Sequence, residues 1–158
     1  MINATKSPLI LIDFAIVSSS GLFRGNIESR ADLEKKMALY PIEIDFGISQ
    51  QDNTKTYQIL SKIAINFPLN EKEEPKEGYS LFAESVGFFG FDANAELSDK
   101  QKQEFLQFSA LSICITNMRL YLSNLTSYFP FGKYNFPSID INALLHDKAE
   151  QVINNQNQ

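Results

Sequence analysis

The chain has 158 residues, of which 44% are hydrophobic and 21% are charged. This length and composition predict a single domain over residues 1–158, and they exclude a collagen-like or wholly disordered chain. Fourteen Lys and Arg against nineteen Asp and Glu give a net charge of −5, so we expect no nucleic-acid binding. The aromatic set is skewed, with 13 Phe, 6 Tyr and no Trp.

The first apolar stretch, residues 8–17, does not fit a membrane span. It contains Asp13 and is about half as long as a span requires. Only Lys6 supplies a basic charge ahead of it, which makes it a poor signal peptide. We therefore expect a cytoplasmic protein with no direct membrane insertion.

Two runs in the first third of the chain predict β-strands. In residues 10–17 and again in residues 42–49, β-branched and aromatic residues occupy alternate positions. The second run has one apolar and one polar face. Residues 26–40 between them are too many for a hairpin turn, and they predict a long crossover with a short helix because apolar residues stand three or four positions apart.

Two further runs complete a four-stranded antiparallel sheet. The third run, residues 57–67, follows a polar turn and predicts an antiparallel hairpin with the second strand. The fourth run, residues 79–91, follows a charged loop at residues 71–78 and is apolar on both faces in places. Its Gly87 and Gly90 stand among phenylalanines and indicate a bulge or a bend.

A change of period after the strands predicts one long helix. Ser98 and Gln101 form a capping box, which starts the helix at about Asp99, and the apolar pattern runs to about Tyr128. Wound at ~100° per residue, the helix has an apolar arc on the order of 240°, whereas one sheet covers only ~100°. We therefore predict a homo-oligomer whose subunits meet through this helix.

The last part of the chain is irregular and then helical. Residues 128–139 carry two prolines and five aromatic residues. Asp140 is placed to cap a short C-terminal helix that ends near Ile153, and residues 154–158 are expected to be a disordered tail. Together the elements predict an α+β fold.

Catalytic constellations are scarce, so we expect no enzyme activity, no cofactor and no metal site. The single histidine, His146, is predicted on the last helix beside Asp147, with no nucleophile near it. The single cysteine, Cys114, lies between two isoleucines and is interpreted as a small core residue. One cysteine and one histidine do not make a zinc site, and the acidic loop lacks the spacing of a calcium site.

Apolar side chains remain on irregular backbone, in the crossover region and in the segment after the long helix. They are Leu22, Phe23, Leu33, Met37, Leu39, Tyr40, Phe129, Phe131, Tyr134 and Phe136. Exposed patches of this kind mark binding sites, and patches rich in Met and aromatic residues suit promiscuous binding. The residues alone leave two interpretations open, a binding surface or aromatics that plug the ends of the sheet.

Three local patterns stand in a characteristic order. They are PIEIDF at residues 41–46, FAESVGFF at residues 82–89 and YNFPSIDINAL at residues 134–144. With the order of the elements over residues 9–145, they resemble SecB, the tetrameric bacterial protein-export chaperone, and its SecB-like relatives. The last pattern is similar to the family's Leu-Asn-Leu-x-Pro-Val-Asn-Phe-Asp-Ala-Leu segment. The resemblance implies a SecB-like fold assembled as a dimer of dimers.

The resemblance also implies a function, that of an ATP-independent holdase chaperone binding unfolded polypeptides or preproteins in hydrophobic grooves. The client-groove residues would be Leu22, Phe23, Met37, Leu39, Tyr40, Phe129 and Phe131. Docking of SecA would use Phe82 and Glu84, but two other acidic positions of that face are Ser20 and Arg24 here. Export through SecA and protection of an antitoxin therefore both stay open. The alternative from another class is a small-molecule or lipid-binding module with an aromatic-lined cavity.

Overall fold

The computed structural model describes residues 1–51, 54–68 and 74–156, which form a four-stranded antiparallel sheet with helices. This α+β architecture confirms the predicted fold class. The strands are β1 (Leu9–Arg24), β2 (Ile42–Gln50), β3 (Tyr57–Ile65) and β4 (Gly78–Phe91). The helices are α1 (Arg30–Met37), α2 (Asp99–Glu104), a π-helical segment (Phe105–Ala110), α3 (Leu111–Thr126) and α4 (Ile141–Gln156). We call α2, the π-helical segment and α3 together the long helix.

Parts of three predicted segments lie outside the described residues. They are residues 52–53 of the turn after β2, residues 71–73 of the charged loop and residues 157–158 of the predicted tail. Residues 154–156 of that tail belong to the end of α4.

The strands are ordered β1-β4-β3-β2, so β1 and β2 form the two edges of the sheet. Residues 25–41 connect one edge to the other and contain α1. The predicted hairpin of β2 and β3 is present, and its register runs from Ile42 opposite Ile65 to Gln50 opposite Tyr57. Since each edge strand pairs on one side only, each leaves a row of backbone groups unpaired within the described sheet.

The sheet has an inner face toward the long helix and an outer face away from it, because side chains alternate along each strand. In β4, Leu81, Ala83 and Phe89 are fully buried on the inner face, while Phe82 and Glu84 are partly exposed on the outer face. In β2, the four apolar residues share the inner face, as their alternation predicts. The core therefore lies between the inner face and the long helix.

β1 is longer and less regular than its sequence pattern predicts. Its pairing with β4 continues to Arg24, and the register shifts twice, around Ile12 and around Val17. The extra residues therefore lie on β1, whereas the predicted bulge was placed on β4 at Gly87 and Gly90. β4 keeps a regular register with β3 through Gly87.

Gly87 has a different role, which is to let the long helix approach the sheet. A Cβ at this position would lie 2.7 Å from Cys114 Sγ. Cys114 is buried, as predicted for a core residue, and burial raises the pKa of its thiol to about 12. The thiol is therefore protonated at neutral pH, and it acts as a packing group.

The long helix begins at the predicted capping box. The Ser98 Oγ accepts a hydrogen bond from the Gln101 N–H at 3.3 Å, and the Gln101 Oε1 accepts one from the Ser98 N–H at 2.9 Å. The helix ends at Thr126. Its buried stripe consists of Leu106, Ala110, Leu111, Cys114, Ile115, Met118, Leu122 and Thr126. Phe108 and Leu120 stay exposed, so a single chain covers only part of the apolar arc.

The buried Thr126 hydroxyl ties the end of the long helix to the chain that returns from it. It donates to the Leu122 carbonyl and accepts from the Tyr134 N–H, each at 2.8 Å. We expect Thr126→Val to lower the free energy of unfolding by about 1–2 kcal/mol, because it leaves a buried amide without an acceptor. Urea unfolding measures this loss, and Thr116→Val, at an exposed position on the same helix, is the control. Equal losses in both variants would contradict this role of the Thr126 hydroxyl.

The two shorter helices begin at side-chain caps. Ser29 Oγ accepts from the Asp32 N–H at 3.2 Å at the start of α1. Asp140 Oδ1, the predicted cap of the last helix, accepts from the N–H groups of Asn142 at 2.9 Å and Ala143 at 3.1 Å. Among the described residues, no helix is both long and apolar enough to cross a membrane.

Candidate functional site

His146 and Cys114 do not form a catalytic pair. His146 is exposed on α4, with its ring nitrogens 3.8 Å from the carboxylates of Asp147 and Glu150. Cys114 is enclosed by the core and protonated. In the described part of the chain, these two groups therefore supply no assembled nucleophile and base.

Several of the predicted groove residues meet around Tyr79, at the start of β4. The Tyr79 ring contacts the rings of Phe23 at 5.5 Å, Phe129 at 5.7 Å and Tyr134 at 6.3 Å between centroids. Phe131 packs on Phe23 at 6.0 Å. We call these five residues the aromatic cluster. Tyr79 is fully buried at its centre, and the sequence analysis did not single it out because only the tertiary fold brings its partners together.

Tyr40 fastens the connection between β1 and β2 to the start of β4. Its hydroxyl donates to the Glu77 carbonyl at 2.8 Å and accepts from the Tyr79 N–H at 3.0 Å. The side chain is buried, and burial raises the pKa of its hydroxyl, which stays a protonated donor at neutral pH. Beside it, the Lys36 ammonium holds the pKa of the Glu77 carboxyl below its usual range. Tyr40 therefore holds the start of β4, which includes Tyr79 of the aromatic cluster.

We call residues 130–133 the strap. They lie over the aromatic cluster, and hydrogen bonds to their carbonyl groups hold them in place. The Tyr79 hydroxyl lies 2.6 Å from two of these carbonyl oxygens. The Arg30 guanidinium, at the start of α1, donates to the other two. Within the strap, Phe131 has a φ of +66°, a left-handed conformation that costs a non-glycine residue about 1–2 kcal/mol. Contacts from elsewhere in the chain therefore order the strap.

The remaining predicted groove residues do not join the aromatic cluster. Leu22 is exposed on the outer face, on the opposite side of the sheet from Phe23. Leu39 is 68% exposed beyond the end of α1, and Met37 is partly buried against the core. The predicted set thus divides into an aromatic cluster and separate exposed side chains.

The two positions assigned to SecA docking lie on the outer face. The Phe82 ring packs on that of Phe67, with 5.2 Å between centroids, and Ser20 of β1 faces Phe82 in the register. Glu84 forms an ion pair with Lys62 at 3.1 Å. The charge of Glu84 is therefore compensated by a neighbouring strand.

A groove that the sequence analysis missed runs between β2 and α4. Its volume is about 490 Å³, and Ile44, Phe46 and Leu144 contribute apolar walls. Charged side chains also line it, namely Glu43, Asp45, Lys62, Asp147 and Lys148. Lys148 of α4 pairs with Asp45, and its ammonium lies 5.9 Å from the centroid of the Phe46 ring. The free edge of β2 borders this groove. Apolar residues three and four positions apart in α4 are the signal that predicts a helix face turned toward the sheet.

The described four-stranded antiparallel sheet with its helices is an α+β arrangement that matches a SecB-like fold. The chain is similar to the SecB-like chaperone Rv1957 of Mycobacterium tuberculosis, solved in complex with a ChAD peptide from the Rv1956 HigA1 antitoxin. The TM-score is 0.56 at 8% identity, over 84% of this chain and 91% of that chain. A protein of unknown function from Streptococcus agalactiae matches with a TM-score of 0.42 at 11% identity, over 82% and 97% of the two chains. No family model and no curated protein matches the sequence.

Proposed function

We propose that the chain is an ATP-independent holdase chaperone that binds non-native polypeptides in hydrophobic grooves. The observation that carries the proposal is the groove along β2, which places apolar side chains among charged ones beside a strand edge that has no partner in the described sheet. The fold supports it, because the similar Mycobacterium tuberculosis chaperone was solved with a peptide of an antitoxin. The binding needs no cofactor, since apolar burial and backbone hydrogen bonds supply its free energy.

An extended client segment would bind along the edge of β2. Its backbone would add hydrogen bonds to the free edge, and alternate side chains would bury against Phe46 and Leu144. Each Å² of apolar area removed from water contributes ~25 cal/mol. Because the backbone contacts are independent of client sequence, the same groove accommodates many clients.

Client contacts in this proposal extend from the groove to the apolar residues of the connection and of the segment after the long helix. These residues are Leu22, Phe23, Met37, Leu39, Tyr40, Phe129 and Phe131. Leu39 is the most directly available of the set, because its side chain is 68% exposed. Tyr40 is the least available, because it is buried and hydrogen-bonded to β4.

The working unit in this proposal is a homo-oligomer, a dimer of dimers in the cytoplasm. The exposed Phe108 and Leu120 would lie between subunits, which accounts for the apolar side of the long helix that the sheet leaves uncovered. Several grooves in one assembly would then hold a single client with avidity.

Two partners fit the proposal, the export motor SecA and an antitoxin. Glu84 is paired with Lys62, and the two other positions that are acidic on the SecA-docking face of the family are Ser20 and Arg24 here. This difference favours an antitoxin or another unfolded client. A toxin–antitoxin gene pair beside the gene for this chain would support the antitoxin role.

The proposed function is tested with a permanently unfolded client, fluorescently labelled lysozyme that has been reduced and alkylated. Without ATP, anisotropy should give a dissociation constant in the micromolar range or tighter. Leu39→Ser should weaken binding by about ten- to a hundred-fold, because burial of a leucine contributes ~1.5–3 kcal/mol. Val17→Ser is the matched control, since Val17 is 61% exposed on β1, away from the connection.

Two results would count against the proposal. A monomeric chain that ignores unfolded lysozyme would contradict the holdase function. Equal affinities of Leu39→Ser and Val17→Ser would remove Leu39 from the client surface. Tyr40 is unsuitable for this test, because replacing a buried, hydrogen-bonded side chain alters the fold as well as the surface.

A further inference from the structure

Phe131 is the most exposed of the five residues of the aromatic cluster. Its ring packs on Phe23 at 6.0 Å, and Phe23 in turn packs on the buried Tyr79 at 5.5 Å between centroids. Phe131 is nevertheless 37% exposed, so it sits at the open rim of the aromatic cluster. The strap thus covers the other four residues of the cluster with the side chain of Phe131.

The backbone of the strap is strained at this residue. Phe131 has a φ of +66°, in the left-handed region that glycine and asparagine adopt far more readily than an aromatic residue. A return of Phe131 to right-handed backbone would move its ring away from Phe23. The closed position therefore depends on contacts that hold the strap from outside.

Two side chains, Tyr79 and Arg30, provide such contacts. The Tyr79 hydroxyl lies 2.6 Å from two carbonyl oxygens of the strap, but its single proton serves only one of them at a time. The Arg30 guanidinium donates to the Phe131 carbonyl and to the Lys133 carbonyl, which lies 3.3 Å from both Nη atoms. Because Arg30 belongs to α1, it links the strap to the connection between β1 and β2.

We propose that the strap competes with clients for the aromatic cluster. In the empty chain, the Phe131 ring packs on Phe23 and covers the other residues of the cluster. The Arg30 guanidinium holds the strap in this position, and we call Arg30 the latch. The proposal rests on the holdase function and changes the role of one residue in it. Phe131 is no longer a client contact but a side chain that a client must displace, and we call it the plug. Arg30 is a positioning residue that sets the fraction of open chains. Apparent client affinity scales with that fraction, so a weaker latch gives tighter binding.

Arg30→Gln tests the latch, with Arg24→Gln as the charge-matched control at an exposed position at the end of β1. The N–H of Gly132, in the strap, and the N–H of Tyr134, directly after it, are both hydrogen-bonded when the strap is closed. In Arg30→Gln, we expect these amides to exchange with deuterium about five-fold faster than in the wild type. We expect unfolded, labelled lysozyme to bind about five-fold more tightly. Arg24→Gln should change neither, and equal exchange in the two variants overturns the latch.

Phe131→Asn tests the plug. Asparagine tolerates a positive φ, so the strap keeps its backbone while the ring leaves the cluster. Tighter binding of the unfolded lysozyme, by about five-fold, supports the plug. Weaker binding overturns it, because Phe131 would then be part of the client surface. Tyr128→Asn is the control, since Tyr128 is 93% exposed just before the strap.

The two proposals fail in different ways. If neither the wild type nor any variant binds unfolded lysozyme, the holdase function is overturned. Amide exchange then remains as the test of whether Arg30 holds the strap. Faster exchange in Arg30→Gln than in Arg24→Gln supports this role. If all variants bind with the same affinity, the holdase function stands and the competitor is overturned.

Discussion

We expect Gly78→Ala to lower the free energy of unfolding by about 3–5 kcal/mol. Gly78 opens β4 with a φ of +101°, which an L-residue adopts only with strain. A Cβ there would overlap the Tyr40 hydroxyl and would lie 2.8 Å from Leu33 Cδ1 in the buried core. Displacement of Tyr40 would also leave the buried Tyr79 N–H without its acceptor. Urea unfolding followed by circular dichroism measures the loss.

Gly132→Ala separates the strain at Gly78 from the steric overlap. Gly132 has a φ of +80°, but a Cβ there would meet no atom within 4 Å. The expected loss is about 1–2 kcal/mol, the cost of a left-handed backbone alone. Equal losses in the two variants would show that the contact with Tyr40 is unimportant. A larger loss in Gly78→Ala shows that the overlap with Tyr40 and Leu33 adds to the cost of the left-handed backbone.

The local elements of this fold could be predicted because their signals are local. The alternation in β2 predicts a strand with one face toward the core, and β2 has that pattern of burial. The capping box of Ser98 and Gln101 satisfies backbone donors within one turn, so it fixes the start of the long helix without tertiary information. Asp140 acts in the same way at α4.

The second half of β1 could not be predicted, because its strand conformation depends on a distant partner. Residues 18–21 are three serines and a glycine, which carry no alternation of apolar and polar side chains. Pairing with β4 makes them a strand, with Ser19 opposite Ala83 and Gly21 opposite Leu81. A Cβ at Gly21 would lie 3.0 Å from atoms of two side chains near the end of the long helix, a contact that no local pattern reports.

The sequence showed which aromatic residues are available near the candidate site, but it did not show their arrangement. The sequence left two interpretations of these aromatic residues open, a binding surface or a plug at the ends of the sheet. In the structure, Phe23 belongs to β1 rather than to irregular backbone, and it lies together with Phe129 and Phe131. Tyr79 joins them from a strand more than 50 residues away from either end of that group, so only tertiary contacts define the cluster. Leu22 is adjacent to Phe23 in sequence, yet the alternation of β1 puts it on the other face.

Gly87 lies where β4 and the long helix are in closest contact. A Cβ at this position would lie 2.7 Å from Cys114 Sγ and 2.8 Å from Phe89 Cε2, and both side chains are fully buried. We therefore expect Gly87→Ala to lower the free energy of unfolding by about 2–3 kcal/mol through overpacking. To relieve the contact with Cys114, the long helix would have to move away from the sheet, because the backbone of Gly87 is fixed within the sheet.

Two controls make this prediction specific. Gly47→Ala on β2 adds the same methyl group where no atom lies within 4 Å, and its expected change in unfolding free energy is near zero or slightly stabilising. Adding Cys114→Ala to Gly87→Ala removes the sulfur from the contact, so the double variant should lose less stability than the sum of the two single variants. Strict additivity would mean that Cys114 does not limit the approach of the long helix. Equal losses in Gly87→Ala and Gly47→Ala would show that the added methyl group at Gly87 is accommodated.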